Sequence, residues 1–419
     1  MAVRAKVTVD WPLVAAALLL SIYGIAMVYS AGQTDIPMPA AYTAWKKQLV
    51  WFALGLAGAF ALSRASVRML EWMAFPMYAV TIVLLVALLF IGGGAGTAES
   101  TKSWLTIGGV RLGQPSELAK LTVVLMLGKV LAGSKDAPKT LIDLWKPAVI
   151  VGLPWILVIG QKDLGSSLVF IGIFFAMLFW SGISWRLLLL IASPIISLIL
   201  TVRTELWGAW FILLIGLVIW YKPYLWEGVS VVTANLITGV VAPLLWDGLK
   251  PYQQDRLRVF LDPSVDPRRS GYHVIQSQTA IGSGGWFGQG YTEGSQKRLA
   301  FLPEQHTDFI FAVLGEELGF MGVTLALALF LTLFLRIIKI AERANDSFSS
   351  LVALGLLASW FVHVLINVGM TVKLMPITGI PLPFFSYGGT FMLASWMAIG
   401  VLVRIAHEGR GGKHGPFAI

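Results

Sequence analysis

The 419 residues include no cysteine, which excludes disulfides, thiolate metal sites and a thiol nucleophile. Charge is also scarce: Asp, Glu, Lys and Arg make up 13% of the chain, against 57% apolar residues. That balance excludes an ordinary soluble domain and a disordered polar chain. The five histidines are scattered without metal-ligand spacing, and no Gly-Lys-Ser/Thr follows the glycine-rich run, which rules out a P-loop. No internal repeat and no long low-complexity linker divides the sequence.

Long apolar runs are what the chain has instead. A helix needs about 20 mostly apolar residues to cross a bilayer core, and such runs fall near 11–30, 46–62, 71–92, 115–133, 147–161, 164–181, 186–202, 206–221, 229–246, 309–337, 350–371 and 385–405. The predicted fold class is all-α: one integral membrane domain over 1–419, a polytopic bundle of about twelve transmembrane helices. The first run follows Arg4 and Lys6 but is too long for a cleaved signal and lacks a small-residue cleavage site, so it reads as a span.

A formal charge of +9 invites a nucleic-acid partner, yet the bases are sorted by side. Arg4, Lys6, Arg64, Arg68, Lys129, Lys135, Lys139, Lys146, Arg186, Lys222, Arg336, Lys339, Arg343, Arg404, Arg410 and Lys413 share one side in short segments. They outnumber Lys46, Lys47, Lys102, Arg111, Lys162, Arg203 and Lys373 opposite. This positive-inside bias predicts cytoplasmic termini, a membrane-lipid environment and no nucleic acid, with the large polar loop 248–308 outside.

Acid, base and aromatic residues concentrate in that loop, which ends in Phe301-Leu-Pro-Glu-Gln-His-Thr-Asp308 before an apolar run. Asp308 reads either as a helix cap or as a partly desolvated carboxylate suited to general-base work, with His306 beside it. Glu117 and Lys120 are three apart on the helix that Pro115 opens, where they either neutralise one another or line a polar cavity. Asp163 caps a helix or joins a site. Arg256 and Arg258 suit phosphate or merely solvate the loop, and the run Gly282–Gly290 is an anion cradle or a turn. Three segments resist regular helix, 93–114, the large loop and the Pro/Gly-rich 376–389, and are expected to pack together.

Several blocks in order resemble the SEDS family (shape, elongation, division and sporulation): Gln114-Pro-Ser-Glu-Leu-Ala-Lys120, Asp163-Leu-Gly165, Arg256 with Phe260-Leu-Asp-Pro263, Gln276-Ser-Gln278, Leu302-Pro-Glu-Gln-His-Thr-Asp308, Gly315-Glu-Glu-Leu-Gly319 and Ser386-Tyr-Gly-Gly389. Gly271–Gln278 and Ile377–Pro383 resemble the RodA-like elongation branch, and Thr378 stands where the FtsW-like division branch carries Lys. Family members typically have ten spans, so 203–247 reads as an inserted helix pair. Lys373 replaces a usually small or apolar residue, which nothing in the sequence explains.

The resemblance implies an inverting glycosyltransferase that polymerises lipid II into peptidoglycan at the outer face of the bacterial cytoplasmic membrane, with Asp308 as catalytic base. It further implies that Glu117, Lys120, Asp163, Arg256, Arg258, Gln276, Gln278, His306 and Ser386 meet substrate, and that no organic cofactor is used. A divalent cation, Mg²⁺ or Mn²⁺, fits a pyrophosphate substrate. A class B penicillin-binding protein and the elongation machinery are the implied partners. The competing functions are a division polymerase of the same family, a flippase of the same lipid-linked precursor, which would be expected to show inverted repeats and interrupted helices, and a non-catalytic scaffold.

Overall fold

The computed structural model describes residues 9–36, 38–93, 103–107, 110–134, 136–221, 224–248, 254, 270–302 and 304–409. Among the described residues, nine long helices precede the large loop: α1 (Trp11–Ala31), α2 (Pro39–Arg64), α3 (Val67–Ile91), α4 (Pro115–Ala132), α5 (Trp145–Gly160), α6 (Leu164–Trp180), α7 (Trp185–Leu200), α8 (Thr204–Tyr221) and α9 (Leu225–Gly248). A small antiparallel hairpin, β1 (Leu105–Ile107) and β2 (Val110–Gly113), sits between α3 and α4. After the loop's first part come α10 (Ser270–Gly284), the single turn α11 (Ser295–Arg298), α12 (Ile310–Glu342), α13 (Ser347–Thr371) and α14 (Gly389–Gly409). A long helix stands at each of the twelve predicted spans. Among the described residues, eight helices are long and apolar enough to cross a membrane, and α6 and α7 are shorter apolar helices.

Local chemistry sets the starts. Asp10 accepts from Leu13 N and caps α1, Ser66 caps α3, Ser184 caps α7 and Asp346 caps α13. Asp10 also pairs with Arg336 of α12 at 2.5 Å, which ties the two helices that pack along one another. The core lies between α4, α13 and α14, whose apolar side chains are buried almost throughout. Helix α2 crosses α14 closely because Gly400 and Gly55 carry no side chain: a Cβ on Gly400 would lie 2.7 Å from Ala59 Cα, and one on Gly55 would lie 2.9 Å from Trp396 Cβ. Helices α7, α8 and α9 form a satellite with its own small cluster of Leu190, Leu214 and Val231.

One predicted span is not continuous. Helix α12 breaks at Gly319, whose φ of 62° and ψ of −159° suit only glycine. The glycine-rich run fills the break. Gln289 N and Gly290 N donate to the carbonyls of Glu316 and Glu317 (2.9 and 3.0 Å), while Phe320 N and Met321 N donate to Gly285 O and Trp286 O (2.9 and 3.1 Å). A Cβ on Gly284 or Gly288 would collide with the carbonyls of Gly315 or Glu317. The run is therefore neither an anion cradle nor a free turn. Its backbone groups complete those of the interrupted helix, as irregular backbone at such a place requires.

Candidate functional site at the outer end of the bundle

The approach to Asp308 is a tight turn in which Thr307 N, Asp308 N and Phe309 N all converge on Glu304 O (3.1, 3.1 and 3.4 Å). Helix α12 then starts at Phe309 as N-cap, with no side-chain cap, so Asp308 stands one residue ahead of the capping position. The residue is half-buried, and Asn367 Nδ2 on α13 donates to its carbonyl at 2.9 Å. Its carboxylate faces Gly379, where φ is 72° and an added Cβ would lie 3.2 Å from Oδ2. The bare backbone of the Pro/Gly-rich segment lies beside the acid.

Neighbouring residues fix this turn to the rest of the molecule. Gln305 Nε2 donates to Ala31 O at 2.7 Å, and Tyr387 N donates to His306 O at 2.9 Å. The His306 ring is buried 5.6 Å from that of Tyr387. Burial pushes the His306 imidazole below its ordinary range, opposed in part by Glu304. Ser386, a predicted substrate contact, is buried, and its Oγ accepts from Leu382 N at 2.8 Å, while its carbonyl accepts from Gln48 at 2.9 Å. Its visible task is to shape the 382–386 turn.

Asp163 caps α6 through Ser166 N (3.0 Å) and also accepts from Gln114 Nε2 (2.7 Å), so the capping account of it holds. Gln114 N donates in turn to Thr390 Oγ1 (3.0 Å), and Gly165 lies against Thr378 O. Among the described residues the end of the large loop meets 376–389, through Tyr387 N on His306 O and Gly379 beside Asp308, while the end of 93–114 reaches Thr390 in the first turn of α14. Gln276 is half-buried and Gln278 exposed on α10, which Ser277 fastens to Thr371 O at 3.0 Å. Arg256 and Arg258 lie outside the described residues.

Deeper in the bundle, Glu117 and Lys120 form an ion pair of 2.7 Å with both side chains 4% exposed. Lys120 Nζ also lies 2.8 Å from Nε2 of His363. The neutralising alternative is met; the pair also borders a cavity of about 20 Å³ with Ser359, Trp360, Phe391 and Ser395, room for about one water. Sequence reading placed His306 alone near the carboxylates; His363 is a second. The only signal for it was a histidine inside an apolar run. A second buried pair, Lys297–Glu317 at 2.7 Å with both side chains 0% exposed, lies beside the helix break with Ser30 Oγ 2.6 Å from Glu317. Glu316 next to it accepts from Ser295 Oγ, Gln296 N and Lys297 N. Neither carboxylate was singled out beyond its block.

Among the described residues, no three His, Asp or Glu side chains are placed to hold a metal ion. Asp163 is occupied by its cap and Gln114, and Glu117 by Lys120. The described residues make no ready cage for Mg²⁺ or Mn²⁺.

An all-helical membrane bundle with ionisable pairs buried inside and an acid at the mouth defines a class of integral membrane protein with a polar site at one end. The family model for cell cycle proteins of the FtsW/RodA/SpoVE type matches residues 10–212 and 207–411. The peptidoglycan glycosyltransferase MrdB of Escherichia coli K12 is 35% identical over 404 residues, covering 96% of this chain and 94% of that protein. The peptidoglycan glycosyltransferase RodA of Treponema pallidum is 34% identical over 436 residues, covering 97% and 99%. A solved peptidoglycan synthase complex, described as coordinating polymerization and crosslinking, contains a chain that matches with a TM-score of 0.69 at 27% identity, covering 97% of this chain and all of that one. The chain belongs to the FtsW/RodA/SpoVE family, the SEDS family that its sequence blocks resemble.

Proposed function

We propose that this chain is a RodA-like peptidoglycan glycosyltransferase that polymerises lipid II during cell elongation, in the bacterial cytoplasmic membrane with both termini cytoplasmic. The 4-hydroxyl of one GlcNAc attacks the anomeric carbon of a lipid-linked MurNAc. The new C–O bond forms as the bond to the lipid pyrophosphate breaks, and Asp308 takes the hydroxyl proton. One displacement with one base turns an α-linked donor into a β-1,4 link.

The observation that supports this role is the half-buried Asp308 just ahead of an uncapped helix start, its carboxylate turned to the bare backbone of Gly379. Lys120 is fully engaged by Glu117 and His363, so its charge acts from within the bundle. In this reading Arg256 and Arg258 meet the departing pyrophosphate. A class B penicillin-binding protein is the proposed crosslinking partner, supported by what the solved synthase complex is described as coordinating. Helices α8 and α9 are the proposed addition to the ten-span family core. The break at Gly319 is an interrupted helix of the kind a flippase would be expected to use. There the chain's own loop takes up the backbone groups that the break frees, which favours the polymerase reading.

The test is polymerisation of purified lipid II by the purified protein, with and without the crosslinking partner. Asp308→Asn should insert and fold normally yet lose about 10²-fold or more in rate. Near wild-type polymerisation by that variant would reject the base assignment, and no polymerisation by the wild type under any condition would reject the enzyme.

A further inference from the structure

His363 is completely buried in α13, and both of its ring nitrogens are engaged. Nδ1 lies 2.9 Å from the carbonyl of Pro381, which can only accept, so Nδ1 carries the hydrogen. Nε2 lies 2.8 Å from Lys120 Nζ, and an ammonium can only donate, so Nε2 is the accepting nitrogen. The two contacts fix one neutral tautomer, and the Lys120 charge is met by Glu117. The ring stacks on Phe391 at 4.6 Å, which holds its plane.

Four residues on, and so on the same face of α13, Asn367 makes the parallel contacts. It is also completely buried, and its Nδ2 donates to Ile380 O at 2.7 Å and to Asp308 O at 2.9 Å. Two side chains of one helix therefore grip two consecutive carbonyls of the segment whose Gly379 faces the Asp308 carboxylate. A continuous chain of contacts runs from Glu117 through Lys120 and His363 to Pro381, and from Ile380 through Asn367 to Asp308.

We propose that His363 is a positioning residue for the polymerisation reaction: it orients Lys120 with one nitrogen and with the other seats residues 379–381 against Asp308. The proposal rests on the reading of Asp308 as the base. Its chemistry needs the two hydrogen bonds, not an ionising imidazole. Glutamine, which can accept from Lys120 through Oε1 and donate to Pro381 through Nε2, should replace it; methionine, of similar length, should not.

His363→Met is expected to lower kcat for lipid II between about 10-fold and 10²-fold with KM within about twofold, the signature of a displaced group rather than lost substrate binding. His363→Gln should restore kcat. Because the chain has no native cysteine, spin labels at Glu304→Cys and Leu374→Cys, both exposed positions, report the spacing of the Asp308 turn and the entry to the 376–389 segment. That distance distribution should broaden in His363→Met and return with His363→Gln, a change that mere loss of stability in a folded protein would not produce. A folded Met variant with wild-type kcat and a narrow distribution overturns the proposal, as does a Gln variant that fails like Met. Should the Met variant not fold, the labelled Gln variant decides: a narrow distribution with wild-type kcat supports the assignment, and a broad one or a lost rate overturns it. Wild type and Asp308→Asn in the same assay separate the two readings, since an inactive wild type or an active Asp308→Asn strikes the proposed function and leaves the label distances to judge the positioning.

Discussion

The outer end of the bundle and the α7–α9 satellite both bury polar groups, but of different kinds. At the outer end they are charges: Lys297 with Glu317 at 0% exposure, and Lys120 with Glu117 further in. Between the satellite helices they are neutral, and its buried acid, Glu227, sits in the first turn of α9 and accepts from the backbone N–H groups of Leu141 and Tyr224 rather than from a base. Asn235 Nδ2 donates to Ser193 Oγ (2.8 Å), Ser197 Oγ donates to Asn235 Oδ1 (2.6 Å), and Trp210 Nε1 donates to Ser197 Oγ (3.1 Å). Only Leu214 of α8 is buried. Neutral hydrogen bonds suffice to join helices in lipid. A buried ion pair rarely stabilises more than a well-packed apolar pair would, so its presence marks a place where charge serves a purpose beyond adhesion.

Removing one member of a buried pair is the strongest way to test that contrast. Lys297→Met strands the Glu317 carboxylate and should cost about 3–5 kcal/mol, read as a large fall in the thermal unfolding midpoint in detergent. Replacing Glu317 by Gln in the same chain should recover much of the loss. A single variant as stable as wild type would show that the outer end tolerates unpaired charge and would erase the contrast.

Next in size is the helix break. Gly319→Ala puts a side chain on a backbone conformation that costs roughly 1–3 kcal/mol for other residues, and its Cβ would lie 2.8 Å from Phe287 N. The 282–290 loop must shift, so protease sensitivity within 285–290 should rise together with the loss of stability. Unchanged proteolysis would mean that the loop does not depend on the break.

How much of this was legible in the sequence follows from the kind of signal involved. Apolar runs near 20 residues and Asp, Ser and Pro at helix starts are local, and each predicted span holds a long helix. The break at Gly319 was not legible: Gly315-Glu-Glu-Leu-Gly319 lies at the head of an apolar run, and only a loop that supplies the missing partners permits the interruption. Glu117 and Lys120 were legible as a pair because three residues on a helix bring them together. His363 and Asn367 reach Lys120 and Asp308 across the bundle, more than 50 residues away in sequence, and no spacing rule conveys that. Asp308 itself was found from its place at a polar–apolar junction.

Acid should separate the two regions more gently. Burial disfavours the protonated His306, so the unfolded chain binds a proton near the ordinary histidine value of 6.5 while the folded chain resists it until lower pH. Between those values the unfolded state holds more protons, and stability rises with pH. The contribution is complete above about 6.5 and is lost as pH falls through the folded value. Wild type should therefore lose more of its thermal midpoint than His306→Gln between about pH 7 and pH 5. Parallel curves would show that His306 is not the group responsible.

The smallest effect is expected where the satellite is clamped. Asn235→Leu removes three hydrogen bonds, those to Ser193, Ser197 and the Val231 carbonyl, but leaves a side chain that lipid and neighbouring helices accept. Interhelical hydrogen bonds in membranes average about 0.6 kcal/mol and rarely exceed about 1.7 kcal/mol, so the thermal midpoint should fall by only a few degrees. Lipid II polymerisation should stay within about twofold of wild type, because among the described residues the hydrogen bonds of Asn235 go to Ser193, Ser197 and Val231, within the satellite. The comparison turns on that second measurement. A large loss of polymerisation with a small loss of stability would mean that α7 to α9 take part in the reaction, and the division between a charged working end and a neutral attachment would have to be redrawn.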